Sequence, residues 1–511
     1  MAGWRNAAAG RAQWALLAPL VGLTLLLVAL GFQRPQAGPA PPGERPAQRP
    51  ASGTNRPGQV NIVIFLIDTL RADRLGVYGY TRRPTSPHID ALAREAVVFE
   101  QAYAPSPWTL PTVVSLLTST FPCEHGVLHN RHRLGDGFEP LAARLKRLDY
   151  RTINLYANPF AGPRFGAACG FDALISRGRQ QSDGATVAAA LGEPAATPFF
   201  LYIHNTEPHN PYDYAPAHVD GFRDIPPETR RWFEQQNALY RRLTRVDFDH
   251  GRPPGTTDNT ADQQRVLAEL HARAADYCEL YDAAVWAADQ RLGSVVDALK
   301  ARGVWEDTLF IILADHGEEF GEHGGWEHDQ SVYEELMRVP LIVRFPRGQF
   351  GGRRIRSVAS LVDVIPTLAQ YLDQPALAAG ARGRSLLPLI SGAEPDRDRG
   401  FHIPGMRMNR KKHFRPWKEA RGDTNVVIRH AMWKGIWNVE PDTLELYDLA
   451  QDPREQSSVS AQHPELAADM LRVARAWYQE CGGRGAAPAA TPEEELDEET
   501  RQNLRALGYI D

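Results

Sequence analysis

Residues 61–68 read NIVIFLID, an uninterrupted apolar run that ends in a carboxylate, Asp68. Uninterrupted apolar strands are typical of parallel sheets that helices cover on both faces. An acidic side chain at the carboxyl end of such a strand lies where open α/β sheets bind ligands. The stretch therefore predicts the first strand of an α/β sheet, with Asp68 at its functional edge.

Further apolar runs follow at intervals that leave room for helices. They are YRTINLYA (150–157), PFFLYIHN (198–205), TLFIILAD (308–315) and RVPLIVRF (338–345). Helical patterns occur at 88–99 and, most clearly, at 262–302. Strands that alternate with helices predict an α/β fold with a large, mostly parallel sheet between helices. We expect a smaller antiparallel sheet in the C-terminal part.

The charge balance excludes one broad class of function. The 511 residues include 57 basic and 62 acidic side chains, which gives a formal net charge of -5. A protein that binds nucleic acid through bulk positive charge would be basic. We therefore expect no nucleic-acid partner.

The N-terminus differs from the rest of the chain. Residues 15–32, ALLAPLVGLTLLLVALGF, carry no charge, and Arg5 and Arg11 precede them. This length is about the minimum for a membrane span and is long for a signal-peptide core. We expect an uncleaved signal anchor, with residues 1–14 in the cytoplasm, or a cleaved signal peptide; a cytosolic core helix is the remaining alternative. Either export signal places the main domain outside the cytoplasm, membrane-anchored or secreted.

Composition predicts the other boundaries. Residues 33–58 are rich in Pro, Gly and Ala, as expected of a linker. A catalytic domain would cover 59–375, a C-terminal subdomain 376–485 and an acidic tail 486–511. A polar insertion at 210–262 would form part of a pocket rim.

The four cysteines are Cys123, Cys169, Cys278 and Cys481, and their spacing fits no zinc module. In an oxidising compartment Cys123 and Cys169 could form a disulfide. The alternative is four buried thiols.

A polar residue opens an apolar helix within residues 106–119, SPWTLPTVVSLLTS. Pro111 suits a first helical turn, and the apolar residues after it form the helix body. Thr109 is then either an ordinary N-cap or a hydroxyl held at a helix N-terminus for chemistry.

Acidic and histidine side chains follow three of the predicted strands. The first is Asp68. HNTEPHNPY (204–212) adds His204, Glu207 and His209, and ADHGEEFGEHGGWEHD (314–329) adds Asp315, His316, Glu318, His323 and His328. Carboxylates with one imidazole suit Mg, Mn, Ca or Zn. Such an ion would lower the pKa of a bound threonine hydroxyl, which is otherwise a poor nucleophile. The combination predicts phosphoryl or sulfuryl transfer. We expect Glu318, Glu319, Glu322 and His323 to form a solvated or loop-ordering cluster instead.

Longer blocks carry a family resemblance. NIVIFLIDTLRADRLGVYGY (61–80), SPHIDALAREAVVFEQAYAPSPWTLPTVVSLLTS (86–119) and ILADHGEEFGEHGGWEHDQSVYEELMRVPLIVRFP (312–346) resemble signatures of the sulfatase family within the alkaline phosphatase superfamily. Blocks at 361–372, 383–390, 445–456 and 505–510 are similar to its later landmarks. The resemblance covers roughly residues 60–460 and implies an alkaline-phosphatase-like fold.

The resemblance also implies roles for single positions. It places Asp68, Asp315 and His316 on metal ligands and Thr109 on the metal-bound nucleophile. His209 falls on the histidine near the leaving group. Three residues would contact the substrate anion: His328, where some relatives have a lysine; Asn130, as in the phosphonate monoesterase branch; and Asn158, in the space of a missing lysine- and histidine-containing block.

The departures from the family pattern bear on the chemistry. Sulfatases of this type have C/S-x-P-x-R, whose Cys or Ser becomes formylglycine, whereas residues 109–113 here read TLPTV. Threonine cannot form that aldehyde. The usual aspartate pair is Asp68-Thr69, so one carboxylate ligand is missing. YANPF (156–160) replaces the family's G-K-W-H block.

Threonine nucleophiles resemble those of nucleotide pyrophosphatase/phosphodiesterases and of phospho-headgroup transferases, which form a phosphothreonine. We therefore predict a sulfatase-like hydrolase of small-molecule, glycan or lipid anionic esters that favours phosphodiesters or phosphonate esters over sulfate esters. One divalent ion is favoured, because the D-x-x-x-H block of two-zinc members is not found beside His209. The alternatives are a membrane-anchored transferase of a phospho-headgroup and a catalytically silent binding protein on the same fold.

Overall fold

One large sheet organises the chain. The computed structural model describes residues 60–130, 132–177, 183–193, 197–212, 222–244, 260–397, 400–408, 422–484, 489–490 and 498–507. The strands are β1 Asn61–Ile67, β2 Val97–Tyr103, β3 His132–Arg133, β4 Arg151–Tyr156, β5 Ala173–Ser176, β6 Phe199–Asn205, β7 Thr308–Leu313, β8 Arg338–Arg344, β9 Arg354–Ile355, β10 Ala359–Ser360, β11 His402–Met408, β12 Thr424–His430, β13 Trp433–Asn438, β14 Thr443–Asp448 and β15 Ala489–Ala490.

The helices lie between these strands and cover the sheet. The α-helices are α1 Pro87–Ala93, α2 Thr109–Thr118, α3 Pro122–His125, α4 Leu141–Lys146, α5 Gly184–Leu191, α6 Pro227–Thr244, α7 Thr260–Ala272, α8 Ala274–Ala301, α9 Glu334–Met337, α10 Val364–Tyr371, α11 Leu387–Ser391, α12 Pro464–Arg484 and α13 Glu498–Ala506. Short 3-10 helices are Ala72–Arg74, Gly76–Tyr78, Pro159–Ala161, Pro163–Phe165, Trp305–Asp307, Pro346–Gly348, Leu361–Asp363 and Pro375–Ala378.

Nine of the described strands form the large sheet, in the order β10-β2-β8-β7-β1-β6-β4-β5, with β9 also paired to β2. β1 lies between β6 and β7 and runs parallel to both. Only β8 among these strands runs against its neighbours, β7 and β2. The predicted α/β class and mostly parallel sheet are confirmed.

The central strand is apolar because both of its faces are covered. Ile62 to Ile67 are all fully buried, as expected of a strand in the middle of a parallel sheet. The register pairs Leu66 with Leu313 of β7. Asp68 and Asp315 each follow two residues later, so their side chains meet at the same edge.

The helix predicted at 88–99 is wrong in its second half. The helix ends at Ala93, and Val97–Tyr103 forms β2. β2 pairs with β8, β9 and β10. The β-branched Val97 and Val98 pack better on that pleated surface than on a helix, so sheet pairing overrides the local helical pattern. The single helix expected at 262–302 is two helices, α7 and α8.

A second, four-stranded sheet with the order β11-β12-β13-β14 is antiparallel throughout. Its apolar side, which includes Met406, Ile428 and Trp437, packs with Met470 of helix α12. This arrangement confirms the expected small C-terminal antiparallel sheet.

The disulfide differs from the expected one. Cys123 of α3 bonds Cys481 of α12, with their Cα atoms 5.8 Å apart. Cys169 and Cys278 are thiols. Helix α12 crosses the turn that follows α2, where Phe121 and Trp477 meet edge to face at 5.1 Å. A separation of 358 residues hides this proximity from sequence inspection.

The membrane anchor or signal peptide and the linker that the sequence indicates at the N-terminus stay predictions. Residues 1–14, 15–32 and 33–58 lie outside the described residues, as does most of the tail 486–511 apart from helix α13 and β15. Within the described part of the chain, no helix combines the length and the apolar character that crossing a membrane requires.

We expect the double variant Cys123→Ser/Cys481→Ser to lower the free energy of unfolding by about 2–4 kcal/mol, because the bond closes a very long loop in the unfolded chain. Denaturant unfolding of the oxidised protein measures this. Cys169→Ser is the matched control and should change stability by less than about 0.5 kcal/mol. An unchanged midpoint in the double variant would mean that the bond does not form.

Candidate active site

Two buried carboxylates define the centre of the site. Asp68 and Asp315 are each 0% exposed. One ligand atom from each of Asp68, Asp315 and His316 can be chosen so that all three lie within 4.8 Å of one another. The fold thus brings the predicted metal ligands together at the carboxyl ends of β1 and β7.

In each carboxylate, one oxygen contacts protein groups and the other has no hydrogen-bond partner among the described residues. Oδ2 of Asp68 accepts a hydrogen bond from Asn158 Nδ2 at 2.8 Å and lies 3.2 Å from His204 Nε2. Oδ1 of Asp315 accepts from the backbone N–H groups of Thr69 and His316. The other oxygens, Asp68 Oδ1 and Asp315 Oδ2, are buried without a hydrogen-bond partner among the described residues.

Such unpaired buried oxygens fit a cation. A buried acceptor without a partner costs stability, and two facing carboxylates add electrostatic repulsion. Burial and then the charge of Asp68 raise the pKa of Asp315. Burial alone would raise the pKa of Asp68, but His209 and the hydrogen bond from His204 hold it below its usual value. A divalent ion between the two carboxylates would relieve their repulsion.

His316 presents the correct nitrogen for a metal. Its Nδ1 lies 2.8 Å from the Gly317 carbonyl oxygen. Since a carbonyl only accepts, Nδ1 carries the proton and Nε2 presents a lone pair. Nε2 lies 3.5 Å from Asp315 Oδ2 and 3.7 Å from Asp68 Oδ1. Burial lowers the pKa of His316, which favours the neutral imidazole that binds metals.

Thr109 is not an N-cap. Helix α2 begins at Thr109, so the cap position is Trp108, and no side chain caps the helix there. The Thr109 hydroxyl oxygen lies 3.1 Å from His316 Nε2 and is fully buried. Burial raises the pKa of Asp315, and a hydrogen bond from this hydroxyl opposes that rise without cancelling it. Thr109 therefore stands among the candidate metal ligands, at the positive end of a ten-residue helix.

Thr69 replaces a carboxylate without taking over its place as a ligand. Its backbone is in the left-handed region, with φ 57°, which is uncommon for a residue other than glycine. Its hydroxyl donates to the Pro208 carbonyl oxygen at 2.7 Å. Its backbone N–H instead supports Asp315. Thr69 thus positions the candidate ligand Asp315. The set of candidate metal ligands has one carboxylate fewer than the family pattern with an aspartate pair.

Two further histidine rings lie close to His316. The His328 ring centre lies 4.5 Å from that of His316 and 5.2 Å from that of His209. Nδ1 of His328 lies 2.9 Å from Glu318 Oε1, which fixes the ring. Nδ1 of His209 donates to the Asn210 carbonyl oxygen at 2.7 Å, so this ring too has a set orientation.

Asn158 and Asn130 lie differently from each other. Asn158 is fully buried, and its amide group contacts Asp68, so it supports a candidate metal ligand. Asn130 follows α3 and is half-buried. Within the described residues, no hydrogen bond joins Asn130 to the carboxylate cluster.

His204 and Tyr202 are supporting residues. The sequence placed His204 among the strand-end groups without a role of its own and did not single out Tyr202. Tyr202 OH lies 3.1 Å from His204 Nδ1, and His204 Nε2 faces Asp68. In the neutral ring, the tyrosine hydroxyl donates to Nδ1 and Nε2–H donates to the carboxylate. The signal was present in β6, because residues two apart on a strand share a face.

Glu318 and Glu319 of the 318–323 loop are not solvated, whereas Glu322 is exposed. Glu318 and Glu319 are both fully buried. Glu319 Oε1 accepts from the backbone N–H groups of His323 and Gly325, and Glu322 pairs with Arg71 at 2.6 Å. For Glu319, the predicted loop-ordering role is therefore correct. Glu319, His323 and Glu335 also approach one another closely.

Comparison with known proteins assigns the chain to a family. The family model described as Sulfatase matches residues 60–374. The chain belongs to the Sulfatase family. A second model, N-sulphoglucosamine sulphohydrolase, C-terminal, matches residues 321–473. The chain is a sulfatase-like ester hydrolase, and its buried Asp68, Asp315 and His316 suit the divalent metal on which such enzymes typically depend.

Two curated relatives cover most of the chain. An N-acetylglucosamine-6-O-sulfatase of Bacteroides thetaiotaomicron is 23% identical over 480 residues, 80% of this chain and 83% of the relative. A choline-sulfatase of Rhizobium meliloti is 23% identical over 461 residues, 78% and 83% of the two chains.

Solved structures confirm the alkaline-phosphatase-like fold. The phosphonate monoester hydrolase of Agrobacterium radiobacter has a TM-score of 0.58 and 22% identity, and covers 86% of this chain and 98% of its own. A protein solved with its substrate D-glucosamine-2-N,6-O-disulfate has a TM-score of 0.62 and 19% identity, and covers 82% and 98%.

We expect Asn158→Ala to weaken divalent-metal binding about 10–100-fold, because Asp68 loses the amide that fixes its carboxylate. Competition against a fluorescent chelator, with Mn²⁺, Ca²⁺ and Zn²⁺ in turn, measures the affinity. Asn154→Ala is a matched control, because that buried amide donates to the Ala161 carbonyl oxygen instead. Equal affinity in the wild type and Asn158→Ala would show that the Asp68 carboxylate does not bind the ion.

Proposed function

We propose that this chain hydrolyses phosphodiesters or phosphonate monoesters in preference to sulfate esters, with the Thr109 hydroxyl oxygen as the nucleophile. The observation that carries the proposal is the 3.1 Å separation between that oxygen and His316 Nε2, within the buried carboxylate cluster. The candidate metal ligands are Asp68, Asp315, His316 and Thr109 itself.

The side chain at position 109 favours phosphorus over sulfur. Family members with Cys or Ser at this position act through formylglycine, which threonine cannot become. The hydroxyl must then attack directly, as in the threonine-dependent relatives that form a phosphothreonine. One divalent ion held by these ligands would supply positive charge that lowers the hydroxyl pKa and offsets charge on the substrate oxygens.

The protein groups carry out the remaining steps. The Thr109 oxygen bonds to phosphorus as its proton leaves to solvent, and the bond from phosphorus to the ester oxygen breaks. His209, with Nδ1 already bonded to a carbonyl, gives an Nε2 proton to the departing alcohol. Water then attacks the phosphothreonine, loses a proton to His209 and releases the product acid with Thr109 restored.

The surroundings suit an anionic substrate. Two backbone N–H groups in the first turn of α2, with the helix dipole, offer positive potential beside Thr109. We assign His328 and Asn130 to the non-bridging oxygens of the substrate, and Asn158 to the support of Asp68. Helix α6, from the polar insertion, contributes Arg241, which pairs with Glu327 at 3.1 Å beside His328. This contact supports a place for the insertion on the pocket rim.

We expect Thr109→Ala to lower kcat/KM at least about 1000-fold on the preferred ester, because the nucleophile is gone. The measurement compares a phosphodiester, a phosphonate monoester, a phosphate monoester and a sulfate monoester with metal added. Thr109→Ser keeps a hydroxyl and should retain much of the rate. Thr118→Ala, two turns along the same helix, is the control and should lose only a few-fold.

Two results would overturn the proposal. One is fast sulfate-ester turnover that survives Thr109→Ala, which would require another nucleophile. The other is tight metal binding without turnover of any ester, which would indicate a silent binding protein. His209→Ala adds a check, because its loss should be larger for esters with poor leaving groups than for activated aryl esters. Turnover that requires an added alcohol would identify a transferase instead.

We also propose that the catalytic domain works outside the cytoplasm, attached to the membrane or released after cleavage near residue 32. The Cys123–Cys481 disulfide supports an oxidising compartment, and the apolar residues 15–32 support export. Thiol alkylation of the protein from fractionated cells tests this. Only Cys169 and Cys278 should react without reductant, in the exported fraction; reactive Cys123 and Cys481 would contradict export.

A further inference from the structure

We propose that a pocket between the two sheets is a second binding site, which holds an anionic sugar unit of an oligosaccharide. Its volume is about 390 Å³, within the range of small-molecule sites. None of the residues that line it belongs to the Asp68–Asp315 cluster. The proposal does not depend on which ester the Thr109 site hydrolyses.

Both sheets contribute to the pocket walls. Gln101 lies on β2 of the large sheet, and Arg356 directly follows β9 of the same sheet. From the small sheet, the turn between β12 and β13 contributes Ala431 and Met432. Asp396 and Arg397 complete the wall from the segment that leads to β11.

Three arginines line this pocket without an acidic partner among the described residues. The side chains of Arg356, Arg384 and Arg397 are exposed. Among the described residues, no carboxylate or carbonyl oxygen accepts a hydrogen bond or ion pair from their guanidinium groups. Three positive charges that share one concave surface repel one another, and an anion would relieve that repulsion.

Arginines next to them in the sequence behave differently. Arg354 pairs with Glu100 at 2.7 Å, and Arg353 donates to the Ile390 carbonyl oxygen at 2.8 Å. Arg382 pairs with Glu124 at 2.7 Å. The pocket arginines therefore differ from these neighbours, because within the described part of the chain the neighbours contact protein oxygens through their guanidinium groups and the pocket arginines do not.

The acid in the pocket wall does not neutralise these charges. Asp396 Oδ2 accepts from the Arg356 backbone N–H at 2.8 Å. Its Oδ1 accepts from the Ser357 backbone N–H at 2.8 Å and the Ser357 hydroxyl at 2.7 Å. The carboxylate therefore orders the loop that carries Arg356. The described lining keeps an excess of positive charge.

A buried arginine connects residues of the pocket lining. Arg429 is 0% exposed, and its Nη2 donates to Gln101 Oε1 at 2.5 Å and to the Ala431 carbonyl oxygen at 2.9 Å. Gln101 Nε2 in turn donates to the Arg356 carbonyl oxygen at 2.9 Å. This chain of contacts links both sheets, so the pocket shape is set by the fold.

The pocket lining combines guanidinium groups, which donate two parallel hydrogen bonds, with apolar side chains. Guanidinium groups match the oxygens of sulfate, phosphate or carboxylate in pairs. Met432 is 39% exposed, which is unusual for so large an apolar side chain here, and Val358 lies on the same surface. A sugar ring that carries an oxyanion offers both a charged group and an apolar face. The pocket is therefore suited to one charged unit of a longer glycan.

The test measures binding by titration calorimetry in full-length chains that also carry Thr109→Ala, so that no ligand is consumed. The probes are sulfated, phosphorylated, carboxylated and neutral oligosaccharides of equal length. We expect Arg356→Ala/Arg384→Ala/Arg397→Ala to weaken binding of the best anionic probe at least about 10-fold. The neutral probe should bind weakly to both proteins, and the order of the three anionic probes identifies the preferred oxyanion.

A matched triple variant separates this site from bulk charge. Arg147→Ala/Arg265→Ala/Arg472→Ala removes three other exposed arginines, each paired with an acid in the structure. It should change binding less than about 2-fold. An equal loss in both triple variants, or no loss in the first, would overturn the proposal.

A kinetic control separates the pocket from the Thr109 site. With Thr109 intact, the pocket variant should hydrolyse a small ester with unchanged kcat/KM, because none of the three arginines contacts the carboxylate cluster. A large loss on the small ester would place these arginines in the active site and overturn the proposal of a separate site. Failure of Thr109 as the nucleophile would leave the binding result unaffected.

Discussion

Two buried carboxylates facing each other, Asp68 and Asp315, are the constraint on which the rest of the site depends. Their burial is imposed by the strands that carry them, since β1 and β7 are adjacent and run in the same direction. Each uses one oxygen on protein donors, and its other oxygen has no hydrogen-bond partner among the residues that the structure describes. Such a pair is stable only when its remaining charge is offset, and a divalent ion held by Asp68, Asp315 and His316 would offset it.

The supporting residues divide the work between orientation and charge. Asn158 and His204 hold one oxygen of Asp68, so its other oxygen faces inward. Thr69 gives a backbone N–H to Asp315 and directs its own hydroxyl away, to Pro208. Because Thr69 stands where the family pattern has a second aspartate, a bound ion would be surrounded by less negative charge. Less ligand charge leaves more of the ion's charge for the nucleophile and the substrate.

Much of the fold followed from local pattern. The buried strands at 61–67, 151–156, 199–205, 308–313 and 338–344 lie within the predicted runs, because continuous apolar sequence is characteristic of covered parallel strands. The helix expected at 88–99 failed where Val97 and Val98 enter the sheet. There the tertiary pairing with β8 outweighs the helical pattern, which a single sequence cannot reveal.

In the candidate site, too, some features follow from the sequence and others only from the tertiary structure. The sequence by itself determined the residue types that can hold a metal, the absence of a formylglycine precursor at Thr109 and the edge of the sheet where Asp68 and Asp315 lie, because these depend on identity and strand order. Tertiary structure alone decided the contacts of His204 and Asn158 with Asp68, the Cys123–Cys481 bond and the three-arginine pocket. Each of these joins segments far apart in the chain, and such proximity is set by packing rather than by any local pattern.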